Sequence, residues 1–220
     1  MVLLRGVFVI SLMIGTVPFF KNPDEWHCIH AAMQSVIKHF SKDFYSQEFI
    51  NAFLCPEREL WVWPMQVVRA FDEVGMFVRL FTAGDLSVFS DYNSFISVFN
   101  NSYVDKTHFG ALSESFDYVS NKNLIEKKSL SLVDIESFIN KGCLPIVILG
   151  TKKRFGKYVV LTGCDVNNFY YHETGPEKAQ PNKAISKTKF LGYWMQEPSM
   201  NAVIIVYGKK YMDTFTQLSI

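Results

Sequence analysis

The sequence lacks the features that would place it at once in a metal-binding, disulfide-rich or nucleic-acid-binding class. Its four cysteines include no CxxC pair, which argues against a zinc knuckle and a dense disulfide framework. The 22 basic and 21 acidic side chains leave a net charge of +1, so the overall charge does not indicate a nucleic-acid partner. A phosphate-binding glycine loop, an internal repeat and a low-complexity tract are also missing. We therefore expect no cofactor, no metal and no nucleic-acid partner.

The N-terminal 18 residues are apolar apart from three side chains. Val7–Ile14 has the length of a signal-peptide core, but a single charge precedes it and no small-x-small cleavage pattern follows. The stretch is also shorter than the roughly 20 apolar residues that a membrane-spanning helix needs. Because Val7–Ile10 is rich in β-branched residues, we predict that residues 1–16 form a strand or a leader. We expect a cytoplasmic protein without stable membrane insertion, or a secreted one if residues 1–16 are a signal peptide.

A cysteine at the start of an apolar helix is the feature on which the predicted site depends. One face of this helix carries regularly spaced apolar residues: Ile29, Met33, Val36, Ile37 and Phe40. Asn22, Pro23 and Glu25 match the N-cap, the first-turn proline and the capping box of a helix start. A Cys28 thiol in the first turn would face unpaired N–H groups, which favour the thiolate. The alternative is a buried structural cysteine, because free cysteine is among the most buried residue types.

The following segments continue a helical N-terminal half. We predict a helix over Ser46–Phe53, a helix that begins at Pro64 and ends at Gly75, and a strand over Met76–Phe81. Trp61 and Trp63 either pack in the core or form the wall of a substrate groove. Residues 85–128 have weak periodicity, so we predict mixed helix and loop there.

The C-terminal half is dominated by strand patterns. Ser131 is the predicted N-cap of a helix that runs to Ile139 and is closed by Gly142. Four β-rich runs follow: Leu144–Leu149, Tyr158–Thr162, Phe169–His172 and Ala202–Tyr207. The sequence therefore predicts an α+β protein, with an N-terminal helical half packed on a C-terminal, mostly antiparallel sheet. Residues 17–212 would form a single domain, and residues 213–220 a tail.

Two groups of motifs occur in an order that points to a known family. The first comprises Val17–Asn22, Cys28 with Ala31–Met33, and Leu60–Gln66. The second comprises Asp134–Gly142, Leu144–Ile146, Gly156–Asp165 and Tyr170–Gly175. This order resembles the papain-like fold and, within it, the bacteriocin-processing (double-glycine leader) cysteine-peptidase family with its uncharacterised relatives. The resemblance covers most of the chain and implies a cleft between the helical half and the sheet.

The resemblance implies a role for each of four residues. Cys28 takes the nucleophile position, and Asn22 takes the position of a glutamine that donates a hydrogen bond to the oxyanion. Lys157 stands where the family has its histidine base, and Glu173 stands where it has the aspartate that orients this base. A charged lysine can stabilise a thiolate but is a poor proton shuttle. We therefore predict a cysteine-peptidase-like protein whose peptidase activity is impaired or lost.

Several alternatives remain open from the sequence. An active protein would form a thioester at Cys28 and act as a thiol hydrolase or as an acyl or amide transferase. An imidazole could come from His27 or His30, which flank Cys28, or from His172, although strand alternation points His172 and Glu173 to opposite faces. These histidines with Cys28 and Cys164 lack a recognised metal-ligand spacing except His27 and His30 at i, i+3, so we predict no metal site.

The predicted partner is a peptide or protein bound in the cleft. The candidate substrate-binding residues are Trp26, Trp61, Trp63 and His172. The sequence leaves the oligomeric state open.

Overall fold

A computed structural model describes residues 12–13, 15–24, 26–41, 45–54, 60–151, 154–195 and 201–208. The strand predicted at Val7–Ile10 and the tail predicted at 213–220 lie outside these ranges. Within the predicted N-terminal strand or leader, Leu12–Met13 forms a short strand, β1, which pairs antiparallel with Cys164 and Gly163.

Helices dominate the N-terminal half, as predicted. They are α1 (Cys28–Phe40), α2 (Gln47–Leu54), α3 (Pro64–Glu73), a 3-10 helix (Ser87–Phe89), α4 (Tyr92–Val98), α5 (Asn101–Val104) and α6 (Phe109–Asn121). The predicted stripe of α1 is buried at Ile29, Met33, Val36 and Ile37. This helix packs against the sheet, while α2 contacts both α1 and α3. The 13-residue α6 lies inside the region predicted only as mixed helix and loop, and it packs on α3.

The start of α1 differs from the sequence prediction. Its N-cap is His27, which makes no side-chain capping bond, so the assignment of Asn22 as the N-cap is wrong. Asp24 instead accepts the backbone N–H groups of Trp26 and His27, at 2.8 and 3.0 Å. These bonds form an Asx turn that delays the helix. Asn22 instead contacts a segment that is distant in sequence, because its backbone N–H donates to the carbonyl of Thr174 at 2.8 Å.

Helix α3 begins where the sequence predicted. Its N-cap residue, Trp63, has a different role from the predicted one. Pro64 occupies the first turn, and the side chain of Gln66 accepts the backbone N–H of Trp63 at 2.8 Å. Trp63 is 1% exposed, and its indole N–H donates to Thr107 at 3.0 Å. Its ring contacts three phenylalanines: Phe89, Phe95 and Phe99. Trp63 therefore packs in the core, one of the two alternatives left open by the sequence, and its assignment as a substrate-binding residue is wrong.

Eight strands of the described residues form one sheet in the order β3-β2-β8-β4-β5-β6-β7, with β1 paired to β5. After β1, the strands are β2 (Phe77–Phe81), β3 (Ile125–Glu126), β4 (Leu144–Thr151), β5 (Arg154–Cys164), β6 (Asn168–Glu173), β7 (Gln180–Ser186) and β8 (Val203–Tyr207). Only the β2–β3 pair among them is parallel. The predicted α+β class, with a mostly antiparallel sheet, is confirmed.

Two helices accompany the C-terminal strands. Helix α7 (Leu132–Asn140) begins at its predicted cap, Ser131, whose hydroxyl accepts the N–H of Asp134. Helix α8 (Lys187–Trp194) and strand β7 were not predicted. Every residue of β8 is buried, which is typical of a strand covered on both faces. None of the described helices combines the length and the hydrophobicity that crossing a membrane would require.

The sheet and α1 meet where the predicted site residues gather. Helix α1 packs against β5, and β5 is hydrogen-bonded to β6 on one side and β4 on the other. Lys157 lies on β5, Glu173 ends β6, and Cys28 is the first residue of α1. The tertiary packing therefore brings three segments that are distant in sequence to the same place.

Candidate active site

A cleft of about 730 Å³ opens between the start of α1 and strands β5 and β6. Six of the eight candidate residues line it: Asn22, Trp26, Cys28, Trp61, Lys157 and Glu173. Its wall also includes Leu60, Tyr103, Lys106, Lys178 and Lys183. The two candidates that do not line it are Trp63, which lies in the aromatic core, and His172.

The thiol of Cys28 lies half-buried at the first turn of α1. Burial raises its pKa, and this effect outweighs the backbone N–H of Tyr158 and the charge of Lys157, both of which lower it. Tyr158 is itself held in place, because its hydroxyl donates to the carbonyl of Val62 at 2.8 Å. Cys28 is therefore a neutral thiol near neutral pH, despite its position at a helix start.

An ion pair between adjacent strands occupies the wall of the cleft. The ammonium group of Lys157 donates to Oε1 of Glu173, and that of Lys183 lies 3.3 Å from Oε2. The Glu173 side chain is 7% exposed, whereas those of the two lysines are 40% and 36% exposed. Burial raises the pKa of Glu173, but the hydrogen bond and charge of Lys157, together with Lys183, lower it below its ordinary value. The carboxylate is therefore ionised and bound by two cations.

Asn22 contributes an amide to the same cleft. The residue is 1% exposed, and its Oδ1 accepts the backbone N–H of Asp24 at 3.2 Å. That bond makes Nδ2 the donor end of the side chain. Among the described residues, Nδ2 has no hydrogen-bond partner. The Asn22 amide is thus a hydrogen-bond donor available in the cleft.

His172 is buried away from the cleft, so its assignment as a substrate-binding residue is wrong. Its Nε2 lies 3.1 Å from the carbonyl of Val17, and its Nδ1 accepts the backbone N–H of Asn182 at 3.2 Å. The ring also meets Phe19 edge-on. Burial lowers the pKa of His172. Both nitrogens of the neutral ring have a backbone hydrogen-bond partner. The ring therefore anchors the N-terminal segment to the sheet.

The two histidines beside Cys28 also have other partners. Nδ1 of His27 lies 2.7 Å from the carboxylate of Asp24, and Nε2 of His30 lies 3.1 Å from Oδ1 of Asn51. Burial lowers the pKa of His30 to about 4. Neither ring lines the cleft. Within the described ranges, moreover, no group of three histidine, cysteine or acidic residues is arranged to hold a metal ion.

Sequence reasoning missed the contribution of Lys183. This residue lies on β7, and its ammonium group binds the same carboxylate as Lys157. The segment Gln180–Ser186 has little hydrophobic alternation and is mostly exposed, because β7 is an edge strand. The available signal was a short polar run that follows the aromatic strand after a Gly-Pro turn, the pattern of a further antiparallel strand.

Comparison with known proteins identifies the fold. No family model and no curated protein matches the chain. The peptidase domain of Streptococcus ComA, a bi-functional ABC transporter involved in a quorum-sensing pathway, superposes with a TM-score of 0.52 at 17% identity, over 88% of this chain and 100% of that domain. A putative C39-like peptidase from Bacillus anthracis superposes with a TM-score of 0.57 at 10% identity, over 91% of this chain and 98% of that one. This chain has the C39-like peptidase fold. The papain-like fold predicted from the motifs is thereby confirmed.

The low identities limit the comparison to the fold. In this C39-like fold, the cleft of our chain is lined by Cys28, a lysine–glutamate pair and an asparagine amide. The roles of these side chains must be argued from their own chemistry.

Proposed function

We propose that the cleft binds a segment of a peptide or protein and that ordinary peptidase turnover is impaired or lost. The observation that carries this proposal is the ion pair of Lys157 with Glu173 in the wall that faces Cys28. A cysteine peptidase needs a base with a free lone pair to accept the thiol proton. An ammonium group bound to a carboxylate has no such lone pair.

The state of Cys28 supports the same conclusion. Burial keeps its pKa raised, and the nearby ammonium of Lys157 does not reverse this effect. The thiolate, not the thiol, attacks a carbonyl. General acid–base catalysis contributes on the order of 10² to 10⁴-fold, so a cleft without a base is expected to lose at least that factor.

The lining of the cleft supports binding of an extended peptide. Trp61 and Trp26 offer aromatic surfaces, and Trp26 is 42% exposed with the ammonium of Lys106 4.8 Å from its ring centroid. The volume of about 730 Å³ lies within the usual range of ligand sites. Two proteins with this fold are described as peptidases, which makes a peptide the natural ligand class.

An active thiol hydrolase, or an acyl or amide transferase, is the competing function. It would require the thiol proton to leave Cys28, a thioester to form with the acyl group, and the amine to depart with a proton. Cys28 and the Asn22 amide line the same cleft, which favours this alternative. The two functions therefore differ in turnover and agree in binding.

Turnover and binding can be measured on the same full-length protein. The probe is a pool of random N-acetylated octapeptides. We expect no cleavage by mass spectrometry above that of Cys28→Ala, whereas the pool slows iodoacetamide labelling of Cys28 in the wild type. Cleavage that disappears in Cys28→Ala would establish the hydrolase. If an amine is added as acceptor, peptide amides that form only when Cys28 is present would establish the transferase. A labelling rate that the pool leaves unchanged would refute peptide binding.

A second experiment tests the reason for the lost turnover. The triple variant Asn22→Gln, Lys157→His, Glu173→Asp restores the residue types that the resemblance implies. We expect this protein to label faster at Cys28 than the wild type at pH 7. The matched control is Lys189→His, on the exposed surface of α8, which should leave labelling unchanged.

A further inference from the structure

Among the described residues, one cluster in the cleft wall carries a net positive charge. Lys157 and Lys183 share one carboxylate, that of Glu173, so the three groups together keep one positive charge. The described lining of the cleft also contains Lys178 and Glu177, whose charges are opposite. A cleft wall with this excess positive charge favours a ligand with a negative charge.

The amide of a mostly buried residue lines the same cleft. Asn22 is 1% exposed, its Nδ2 has no hydrogen-bond partner among the described residues, and the residue lines the cavity. Because the solvent of the cleft reaches Nδ2, this group can donate to an acceptor on a bound ligand. Charged acceptors make the stronger hydrogen bonds with amide donors.

The amide and the positive cluster line the same cleft as Cys28, the residue beside which the carbonyl of a cleaved bond would lie in an active peptidase. A peptide that ends there presents a carboxylate instead of a carbonyl. We infer that the cleft recognises the free C-terminal carboxylate of a peptide, held by the Asn22 amide and by the positive charge of the Lys157–Glu173–Lys183 cluster. This inference rests on the proposed function and names its ligand class. The preceding peptide residues would lie along the aromatic wall at Trp26 and Trp61.

An acidic side chain within a peptide is the other source of a carboxylate. It would satisfy the charge, but the peptide would then have to continue past Cys28 on both sides. The C-terminal carboxylate instead ends the ligand at the donors. The two sources can be separated because amidation removes one of them and leaves the other.

Protection of Cys28 from iodoacetamide in the full-length protein provides the test. Three pools of random N-acetylated hexapeptides are compared: free acids without Asp or Glu, amides without Asp or Glu, and amides with one Asp or Glu. We expect the free acids to give half-protection at a concentration about tenfold or more below that of either amide pool. The preference should weaken at high salt, because the Lys157 and Lys183 side chains are partly exposed.

Each of the other outcomes refutes a specific part of the proposal. If the neutral amides protect as well as the free acids, carboxylate recognition is refuted while peptide binding stands. Equal protection by the acidic amides and the free acids refutes recognition of the C-terminus. If no pool protects Cys28, the proposed function itself fails.

Two variants connect the preference to its residues. Asn22→Asp keeps an oxygen for the Asp24 N–H but replaces the donor by a negative charge, so it should abolish the preference for free acids. Lys183→Met, on the exposed edge strand, should reduce it severalfold even if Asn22→Asp does not fold. Lys189→Met is the matched surface control and should leave it unchanged. A full preference retained in a folded Asn22→Asp protein or in Lys183→Met would refute the assigned donors.

Discussion

Lys157 on β5 donates a hydrogen bond to Glu173 at the end of β6. Both residues occupy positions that the family resemblance assigns to a base and to its orienting carboxylate. In this structure the carboxylate of Glu173 holds the ammonium group of Lys157. Because Lys183 binds the second oxygen, the carboxylate is ionised in the folded protein. This cluster determines the reactivity expected of Cys28 and the stability of the cleft wall.

The reactivity of Cys28 should be low at pH 7 and rise only in alkali. Burial raises its pKa, so the thiolate fraction stays small near neutral pH. We expect iodoacetamide to label Cys28 more slowly than free glutathione at pH 7, by site-resolved mass spectrometry. Lys157→Met should slow labelling further, because it removes a nearby positive charge. Lys189→Met should not, and labelling at pH 6 faster than that of glutathione would contradict the expectation.

Glu173→Gln should destabilise the protein at pH 7. It leaves two ammonium groups without their shared carboxylate, at a cost of about 1–2 kcal/mol in the free energy of unfolding. Although burial raises the pKa of Glu173, Lys157 and Lys183 lower it on balance below its ordinary value of 4.5. The stabilisation is therefore present above pH 4.5 and is lost as the pH falls through the lowered pKa. Urea unfolding should show the difference shrinking in acid, with exposed Glu177→Gln as a neutral control.

His30 should make stability depend on pH in a higher range. Burial lowers its pKa to about 4 from 6.5, so the folded state takes up its proton later than the unfolded state. Its contribution to stability is complete above pH 6.5 and is lost as the pH falls toward 4. Between pH 7 and pH 5 we expect His30 to contribute a loss of about 2 kcal/mol to the free energy of unfolding, measured with urea. His30→Gln should remove this loss, whereas His108→Gln, at an exposed position, should retain it.

Gly156 and Gly192 should respond oppositely to alanine. A Cβ at Gly156 would collide with Cγ2 of Ile148 on the paired strand β4, and a branched side chain in a packed sheet has little room to move. We expect Gly156→Ala to cost about 1–3 kcal/mol. Gly192 lies in α8 with open space around its Cβ position, so Gly192→Ala should stabilise by roughly 0.5–1 kcal/mol. Thermal or urea unfolding measures both, and equal losses would contradict the packing.

The two tryptophans before α3 should separate stability from binding. Trp63→Ala empties the aromatic core and should cost about 3–5 kcal/mol in unfolding free energy. Trp61→Ala alters the wall of the cleft. It should cost less stability and weaken the protection of Cys28 by octapeptides. A protein with Trp61→Ala that binds the pool normally would remove Trp61 from the binding surface.

Local patterns predicted most of the elements. The apolar stripe of α1, the proline at the start of α3 and the Ser131 cap of α7 each depend on residues within one or two turns. Such signals were sufficient because the interactions that produce them are themselves local. Where polar composition hid the pattern, α6 was predicted only as part of a mixed helix and loop region, and β7 was missed. The helix start at Asn22 was wrong because Thr174, far along the chain, binds its backbone.

The sequence by itself determined the fold class, the order of the motifs and the residue types available to the site. It established that a lysine, a glutamate and an asparagine stand where the resemblance implies a histidine, an aspartate and a glutamine. Only the tertiary structure decided which side chains meet. Strand pairing joined Lys157, Glu173 and Lys183, and burial placed His172 and Trp63 outside the cleft. The physical reason is that ion pairing, desolvation and packing depend on distances between segments that are remote in sequence.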